Sequence, residues 1–382
     1  FINYPVYTKK FITDLSYLKC AHILKKSNNI FPQFATHNAF TISYVLKLFE
    51  NKPYEFQKLH GMGDEIYSHF LNNKNFNCRV YAPVGGYNDL LPYLVRRLLE
   101  NGANTSFIHQ LNKKNINIKH LVASPLDKIN KLNQNDIQKP RYIFPNRKNS
   151  LGIDLTEEDN IKLYSKLNIL ENVEAFNIIS GKDISSDNKH SICSPYLINK
   201  ALGQAFFANE NIINQALMKL NSFSSEWKNS DIEYRSKIID NFSNLLEENY
   251  YQLVTVCVRE AGKTIQDAIS DIREAIDFCR YYSLHSKDLF DDKILPGPTG
   301  EKNTYKLKGK GLSFVISPWN FPIAIFVGQL VAALVTGNVV IAKPAEQTSY
   351  IAYIIFKFLL EAGLPKDAAA LILGKGEDIG PR

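Results

Sequence analysis

The chain repeats one pattern in two separate stretches: a short apolar segment that ends in polar residues and is followed by a helix. In residues 1–112 the apolar segments lie at 31–38, 54–60 and 79–84. Repeated strand–turn–helix units predict a parallel sheet, and polar residues at the carboxyl ends of its strands indicate a site there. We therefore predict an α/β fold for this stretch, with the strand ends facing one mouth.

The second stretch begins with helices. Apolar residues at helical spacing predict an array of amphipathic helices from residue 211 to residue 282. Buried strands are then predicted at 311–317, 339–343 and 371–373. This half is therefore predicted to be α/β with a helical preface.

A segment without clear periodicity separates the two stretches. Residues 113–192 are rich in Asn, Lys, Asp and Ser, a composition that is typical of a linker. The predicted domains are therefore residues 1–112, a linker at 113–192, and residues 193–382.

The charge and the cysteines exclude several classes of protein. The net charge is +7, but the 45 Lys and Arg residues are scattered, whereas a nucleic-acid surface shows a clustered basic stripe. The five cysteines form no C-x-x-C pair and have no His at metal-ligand spacing. They indicate reduced thiols in a cytosolic protein and no metal site. No apolar run reaches the ~18 to 20 residues of a membrane span.

One helix of the first half carries a candidate carboxylate clamp. Its stripe at i, i+3, i+4 and i+7 consists of Tyr93, Arg96, Arg97 and Glu100. Adjacent arginines lie about 100° apart around a helix, so both can reach one carboxylate from different sides. The alternative is a solvated face whose i,i+4 ion pairs contribute only ~0.3 to 0.5 kcal/mol each. Tyr81 and His37, at two predicted strand ends, favour a site, because a site needs side chains that converge.

Polar turns also follow the predicted strands of the second half. Asn320 lies on a turn bounded by prolines, where a side-chain amide can donate to a developing oxyanion. Lys343 and Glu346 follow the next strand, where a cation and an acid can hold ribose hydroxyls. The glycine turn at 374–377 is a weak signal alone. Together the three turns predict a ligand site at the strand carboxyl ends.

Several segments resemble the bacterial proline utilization A family. Those similar to its proline dehydrogenase barrel are Tyr-Pro-Val-Tyr-Thr-Lys-Lys at 4–10, Phe-Pro-Gln-Phe-Ala-Thr-His-Asn at 31–38, Leu-His-Gly-Met-Gly at 59–63 and the segment 93–107. Those similar to its aldehyde dehydrogenase module are Val-Arg-Glu-Ala-Gly-Lys-Thr at 258–264, Ile-Ser-Pro-Trp-Asn-Phe-Pro at 316–322 and Ala-Lys-Pro-Ala-Glu-Gln-Thr at 342–348. Two unrelated motif sets in this order are specific to the bifunctional family.

The resemblance implies the architecture and the reactions. It implies the C-terminal part of a (β/α)8 proline dehydrogenase barrel, followed by the N-terminal part of an aldehyde dehydrogenase Rossmann-like domain. FAD would serve the oxidation of L-proline to pyrroline-5-carboxylate, which is hydrolysed to glutamate semialdehyde. NAD would serve the oxidation of glutamate semialdehyde to glutamate. A membrane quinone as electron acceptor is implied by the family alone, and the predicted location is cytoplasmic, peripheral to the inner membrane.

The resemblance also implies roles for individual residues. The proline carboxylate would be clamped, and its ring walled, by Arg96, Arg97, Tyr81 and Tyr93. FAD would be lined by Thr8, Lys9, Lys10, Thr36, His37, Asn38 and Leu59, with Glu100 supporting the arginines or the flavin. Asn320 would be a catalytic oxyanion donor, and Lys343 and Glu346 would contact the adenosine ribose of NAD.

The chain also departs from the family pattern. It begins with Phe1 rather than Met, and none of its cysteines has the Gly-Gln-x-Cys-like context of the family's nucleophile. We interpret Cys257 and Cys279, in apolar helical runs, as packing residues. Without a thiolate no thiohemiacetal can form, so we expect a fragment that is inactive by itself. The alternatives are a non-catalytic remnant, a chain that needs a complementing partner or forms a homo-oligomer, and, ranked lowest, a nucleic-acid-binding protein.

Overall fold

The computed structural model describes residues 4, 6–70, 76–102, 123–129, 137–196 and 201–381, without the side chains of 100–102 and 129. The chain divides into two compact units, Tyr4–Ile137 and Gln138–Arg382, which we call the first unit and the second unit. In the described residues no helix is both long enough and apolar enough to cross a membrane.

The first unit is built around a parallel sheet. Its strands, in the order β1-β2-β3, are β1 Gln33–Ala35, β2 Glu55–Leu59 and β3 Cys78–Tyr81. Its helices are Lys10–Lys26, Ala39–Leu48, Asp64–Ser68, Tyr87–Gly102 and Pro125–Ile129. The predicted alternation of strands and helices in residues 1–112 is thus confirmed for the described part.

The two faces of this sheet have different chemistry. Phe34 and Phe56 are register partners and are fully or almost fully buried in an aromatic core with Phe49 and Tyr67. Because successive strand residues point to opposite faces, Glu55 lies on the other face, together with Gln33, Gln57 and Arg79. There the Glu55 carboxylate accepts hydrogen bonds from Arg79 at 2.9 and 2.8 Å, Gln33 at 2.7 Å and Gln57 at 3.1 Å. One face is therefore a core and the other a hydrogen-bonded polar surface.

The strands of the second unit are β4 Val173–Ala175, β5 Asn177–Ile179, β6 Lys182–Ile184, β7 Lys189–Cys193, β8 Ala201–Phe206, β9 Lys293–Leu295, β10 Asn303–Tyr305, β11 Leu312–Ile316, β12 Val339–Lys343 and β13 Ala369–Leu371. In the described residues they form a five-stranded mixed sheet ordered β11-β12-β13-β5-β6 and two smaller sheets, ordered β4-β8-β7 and β10-β9. β11, β12 and β13 run parallel, as the strand–helix alternation of this half predicts, whereas β5 pairs antiparallel with β13.

Helices surround this sheet. They are Glu158–Tyr164, Glu210–Asn229, Ile232–Glu248, Tyr250–Glu260, Ile265–Phe290, Ala324–Val335, Ser349–Glu361 and Gly376–Ile379, with 3-10 turns at Pro140–Tyr142 and Glu346–Thr348. The helix Ala324–Val335 is apolar on nearly every side and lies in the core, with Gly328 directly against the Phe278 ring. The predicted helical preface is confirmed.

The predicted linker at 113–192 differs from the structure in its second half. Residues 138–192 belong to the second unit, and β5 and β6 extend its sheet. Asn177 shows why composition misleads here: it is fully buried, donating to Phe206 O at 2.8 Å and accepting from Leu373 N at 2.8 Å. A buried amide that both donates and accepts a hydrogen bond stabilises the fold, but in the sequence it looks like a polar residue of a linker. Residues 113–122 and 130–136 lie outside the described residues.

Candidate functional sites

The predicted flavin residues after β1 form a tightly bonded turn. Asn38 caps the helix Ala39–Leu48, since its Oδ1 accepts from Phe40 N at 3.0 Å and from Thr41 N at 3.4 Å. Thr36 Oγ1 in turn accepts from Asn38 N at 3.1 Å. Asn is a preferred N-cap residue, so the capping role of Asn38 could have been predicted from the sequence, but it was not.

His37 lies beside this turn and packs against a glycine. A Cβ at Gly63 would lie 2.8 Å from His37 Cδ2, and Gly63 has φ +71°, so a side chain is excluded there on two grounds. Burial, with a smaller contribution from the Lys58 charge, lowers the pKa of His37. The imidazole is therefore neutral at pH 7 and offers one N–H donor and one acceptor. Leu59 and Tyr81, at the ends of β2 and β3, are register partners at the same edge.

The predicted carboxylate clamp lies on the helix Tyr87–Gly102. The Arg97 guanidinium stands 5.4 Å from the centroid of the Tyr93 ring, and both side chains are half-buried. Arg96, on the adjoining position, is exposed. The structure thus brings Tyr93 and Arg97 together as the i,i+4 spacing predicts. The Glu100 side chain lies outside the described part of the chain.

The three residues predicted near the N-terminus lie at the start of the helix Lys10–Lys26 or just before it. Lys10 forms an ion pair with Asp14 one turn along its own helix, and Thr8 is exposed. In the described residues neither Thr8 nor Lys10 has a hydrogen bond to the strand-end residues. Lys9 directly precedes the helix Lys10–Lys26. Their predicted role toward FAD therefore stays a prediction.

In the second unit the predicted site residues lie at or just after the ends of the neighbouring strands β11 and β12. Ile316 and Lys343 are register partners, and Ser317 N donates to Lys343 O at 3.2 Å. The Asn320 side chain is exposed, and in the described residues it has no hydrogen-bond partner, so its amide can donate to a ligand.

Lys343 is a buried cation. It is 3% exposed, and its Nζ lies 3.3 Å from Glu346 Oε2. Burial would raise the pKa of Glu346, but its own backbone N–H and Lys343 outweigh that effect, so the pKa is lowered. The carboxylate is thus ionised and, being partly exposed, can accept from a ligand hydroxyl. Lys343 Nζ also faces Gly376, where an added Cβ would lie 3.9 Å away.

Sequence reasoning gave no role to the turn that precedes the helix Ile265–Phe290. Lys263 Nζ donates to Asn320 O at 2.9 Å and lies 3.2 Å from Asp271 Oδ2. Glu260 is 2% exposed and accepts from Tyr350 N at 2.9 Å and Ile351 N at 2.8 Å. The available signal was the segment 258–264, which carries part of the family resemblance.

Two cysteines of the second unit, Cys257 and Cys279, are not nucleophiles in this fold. Cys257 and Cys279 are fully buried, and burial raises the pKa of both thiols well above the ordinary value. A thiol in this state is a small packing group rather than a thiolate. The prediction that both are packing residues is confirmed.

Comparison with known proteins covers nearly the whole chain. A model of the aldehyde dehydrogenase family matches residues 183–382, and a proline dehydrogenase model matches residues 2–110. The chain is 39% identical to the bifunctional protein PutA of Salmonella typhimurium over 99% of the chain and 29% of that protein. It therefore spans less than a third of the length of this relative.

Solved structures show the same likeness. Proline utilization A from Bdellovibrio bacteriovorus, inactivated by N-propargylglycine, has a TM-score of 0.82 and 32% identity, covering 99% of this chain and 40% of that one. A 1-pyrroline-5-carboxylate dehydrogenase from Thermus with bound NAD has a TM-score of 0.59 and 26% identity, covering 63% of this chain and 47% of that one.

Proposed function

We propose that the chain contributes one part to a proline dehydrogenase and another part to a glutamate-semialdehyde dehydrogenase, because it belongs to the bifunctional proline utilization A family. The reactions are the oxidation of L-proline to pyrroline-5-carboxylate, its hydrolysis to glutamate semialdehyde, and oxidation of that aldehyde to glutamate. The observation that carries the proposal is that two separate parallel-strand edges, each with polar residues, occur in one chain aligned over 99% of its length.

The first unit is proposed to orient proline. Arg96 and Arg97 would each direct guanidinium N–H groups at the carboxylate, because a planar fork matches two carboxylate oxygens. Tyr93, already held against Arg97, and Tyr81 would pack on the ring. Orientation of this kind removes the entropy cost of bringing the reacting carbon to the cofactor.

FAD would accept the hydride in this unit, and the described residues fit it in part. The neutral His37 can donate to or accept from a polar ring atom, and Leu59 offers an apolar contact. Asn38 has its Oδ1 committed to the helix cap, so only its amide N–H groups are available to a ligand. Thr8, Lys9, Lys10 and Glu100 belong to the proposal on the family resemblance alone.

NAD would accept the hydride in the second unit, and the donor set there suits a ribose. Lys343 would donate to one hydroxyl while the ionised Glu346 accepts from another. Asn320 would donate to the oxygen of the aldehyde as negative charge develops on it. Since none of the chain's cysteines has the family's nucleophile context, the proposal assigns no thiolate to this chain.

The partners follow from the same family. A membrane quinone as electron acceptor, a cytoplasmic location, and assembly with a second copy or a complementing chain are proposals that rest on the relatives. A non-catalytic role as a scaffold is the second candidate function, favoured by the buried, unreactive state of Cys257 and Cys279.

Calorimetric titration of the purified chain with NAD tests the proposal. We expect saturable binding that Lys343→Met weakens at least about tenfold, about 1.4 kcal/mol, because a charge-assisted bond to the ribose is lost. Lys357→Met is the matched control, since Lys357 pairs with Asp183 at the surface. Equal affinity in the wild type and Lys343→Met would reject the assigned ribose site, and absence of binding would favour the scaffold.

Proline-dependent dye reduction with added FAD is the second assay. We expect no turnover from the chain alone. Robust turnover would contradict the expectation that the chain is inactive by itself.

A further inference from the structure

The turn between the helices Tyr250–Glu260 and Ile265–Phe290 has a fixed backbone shape. Gly262 has φ +68°, and a Cβ there would lie 2.4 Å from Pro195 Cγ. On the far side, Thr264 Oγ1 accepts from Asp267 N at 3.1 Å and so caps the second helix. Because both ends are fixed, the side chains of Glu260 and Lys263 leave the turn in set directions.

Lys263 holds the loop that carries Asn320. Its ammonium donates to Asn320 O at 2.9 Å, lies 3.2 Å from Asp271 Oδ2, and stands 4.6 Å from the centroid of the Phe321 ring. The side chain is 12% exposed, so little water competes for these contacts. A charged donor on the carbonyl of residue 320 sets the orientation of that peptide, and with it the direction of the Asn320 side chain.

Asp271 holds the other end of the same loop. Its side chain is fully buried, and its Oδ1 accepts from Ala324 N at 2.8 Å, at the first residue of the helix Ala324–Val335. The Lys263–Asp271 pair therefore contacts the loop 317–323 at two points. Neither partner is stable in its place alone, since a buried charge without its counter-charge is strongly unfavourable.

Glu260 acts on the neighbouring turn. Its two carboxyl oxygens accept from the N–H groups of Tyr350 and Ile351, in the first turn of the helix Ser349–Glu361. That helix directly follows the 3-10 turn Glu346–Thr348, and Ser349 Oγ donates to Glu346 O at 3.0 Å. The position of Glu346, and hence of its pair with Lys343, is thereby tied to the same turn as Asn320.

We infer that Lys263 and Glu260 are positioning residues. They hold the loop 317–323, which we call the oxyanion loop, at a fixed distance from the turn Glu346–Thr348, which we call the ribose-binding turn. The turn 260–264 sets the distance between Asn320 on one side and the Lys343–Glu346 pair on the other. This inference rests on the proposed NAD function for its purpose, while the contacts themselves belong to the fold.

Trp319 gives a direct readout of the oxyanion loop. The chain has two tryptophans, and Trp319 is 57% exposed beside Asn320, whereas Trp227 is buried and donates to Leu334 O at 3.1 Å. In a Trp227→Phe background the fluorescence anisotropy of Trp319 reports loop order alone. Lys287→Met, which removes a surface pair with Glu233, is the matched control.

The main variant combines Lys263→Met with Asp271→Asn. It removes both buried charges together while Asn keeps an acceptor for Ala324 N, so the unit is expected to fold. For the double variant we expect unchanged far-UV circular dichroism and a clear fall in Trp319 anisotropy. Lys263→Arg alone keeps the charge, so its Trp319 anisotropy should stay close to that of the protein with Lys263. Unchanged anisotropy in the folded double variant would overturn the role of Lys263.

Glu260→Gln tests the second arm. The amide retains one acceptor but sets an NH₂ group against a backbone N–H, so the Glu346 turn shifts. We expect NAD affinity to fall about tenfold without a change in Trp319 anisotropy. Unchanged affinity in a wild type that binds NAD would overturn the role of Glu260. If the wild type does not bind NAD, the proposed function fails, and the Trp319 result still decides the role of Lys263.

Discussion

Each unit of the chain contains a carboxylate paired with a cation, and the two pairs behave in opposite ways. In the first unit Glu55 accepts two hydrogen bonds from Arg79, whose side chain is 64% exposed. In the second unit Asp271 pairs with Lys263, and their side chains are 0% and 12% exposed. The hydrogen bonds from Arg79 and Gln57 lower the pKa of Glu55 to about 2. Burial raises the pKa of Asp271 in spite of Lys263.

The difference shows that the surroundings decide what an ion pair does. Glu55 stays ionised at little energetic cost because several hydrogen-bond donors surround it and Arg79 is exposed to water. For Asp271, burial raises the pKa, while Lys263 and the Ala324 N–H partly compensate for the loss of water. The first pair is therefore a local feature of a polar sheet face, and the second is a structural support that the fold depends on.

The largest expected effect is that of Asp271→Ala. It leaves Lys263 as an uncompensated buried charge, so we expect a loss of about 3 to 5 kcal/mol in the free energy of unfolding. Urea denaturation followed by tryptophan fluorescence measures it, since both tryptophans lie in the second unit. Asp292→Ala removes the exposed pair with Lys306 and is the control, with about 0 to 1 kcal/mol expected. A loss below that of the control would contradict a supporting role for Asp271.

Glu260 gives the next effect, and it depends on pH. Burial raises its pKa to about 8 in the folded protein, against an ordinary value of about 4.3 in an unfolded chain. The folded state thus binds the proton more tightly, so this contribution to stability is full below about pH 4 and is lost as the pH rises to 8. One proton corresponds to about 1.4 kcal/mol per pH unit.

Denaturation at a series of pH values tests this effect. The stability of the wild type relative to Glu260→Gln should decline between pH 4.5 and pH 8. The same substitution at the exposed Glu248 corrects for the loss of a charge. A difference between wild type and Glu260→Gln that does not vary with pH is the adverse result.

Matched helix caps compare the two units at a smaller scale. Asn38 caps Ala39–Leu48 in the first unit, and Asn209 caps Glu210–Asn229 in the second by accepting from Ile212 N at 3.1 Å. We expect Asn→Ala to cost about 1 kcal/mol at either position, and Asn→Asp to cost much less. Hydrogen exchange of each helix is the measurement, and equal protection in Asn38→Ala and wild type would refute the capping role.

The smallest effect at neutral pH is expected for Arg79→Gln. Because Arg79 is mostly exposed, the loss of stability at pH 7 should be small, about 0 to 1 kcal/mol. The pKa of Glu55 should rise only part of the way from about 2 toward its ordinary value, since Gln33 and Gln57 still donate to it. The stability that Glu55 contributes is present above its unfolded pKa and is lost as the pH falls toward 2, so the variant should lose it at a higher pH. Carboxyl NMR titration of Glu55 decides the matter, and an unshifted titration would show that the glutamines alone lower the pKa.

Much of the fold could be predicted from local pattern. β12 is apolar at four of its five positions and fully buried, and it ends in Lys343 as the pattern indicates. The pairing of Tyr93 with Arg97 follows from helical spacing. β5 and β6 could not be predicted, because each is three residues long and the pairing of β5 with β13 joins positions almost two hundred residues apart.

The candidate sites divide in the same way. Lys343 ends β12, and Asn320 and Glu346 lie in the turns that follow β11 and β12, so parallel pairing places these turns at the same edge of the sheet. Asn38 was assigned to the cofactor, but the structure gives its Oδ1 to the helix end. Lys263, Asp271 and Glu260 were not assigned at all, since nothing in their spacing indicates that they meet the loops at 320 and 350.

The two parallel strand edges with their polar turns were determined by the sequence itself, because apolar periodicity and turn residues act within a few positions of the chain. Only the tertiary structure decided which ion pairs are buried and which are exposed to water. Nothing in the charge or the spacing of Lys263 and Asp271 distinguishes them from the exposed pair of Lys306 and Asp292. The fold buries the first pair at the start of the helix Ala324–Val335, so we expect it to matter more for stability, because the energy of a charge depends on how much water and how many donors the whole fold leaves around it.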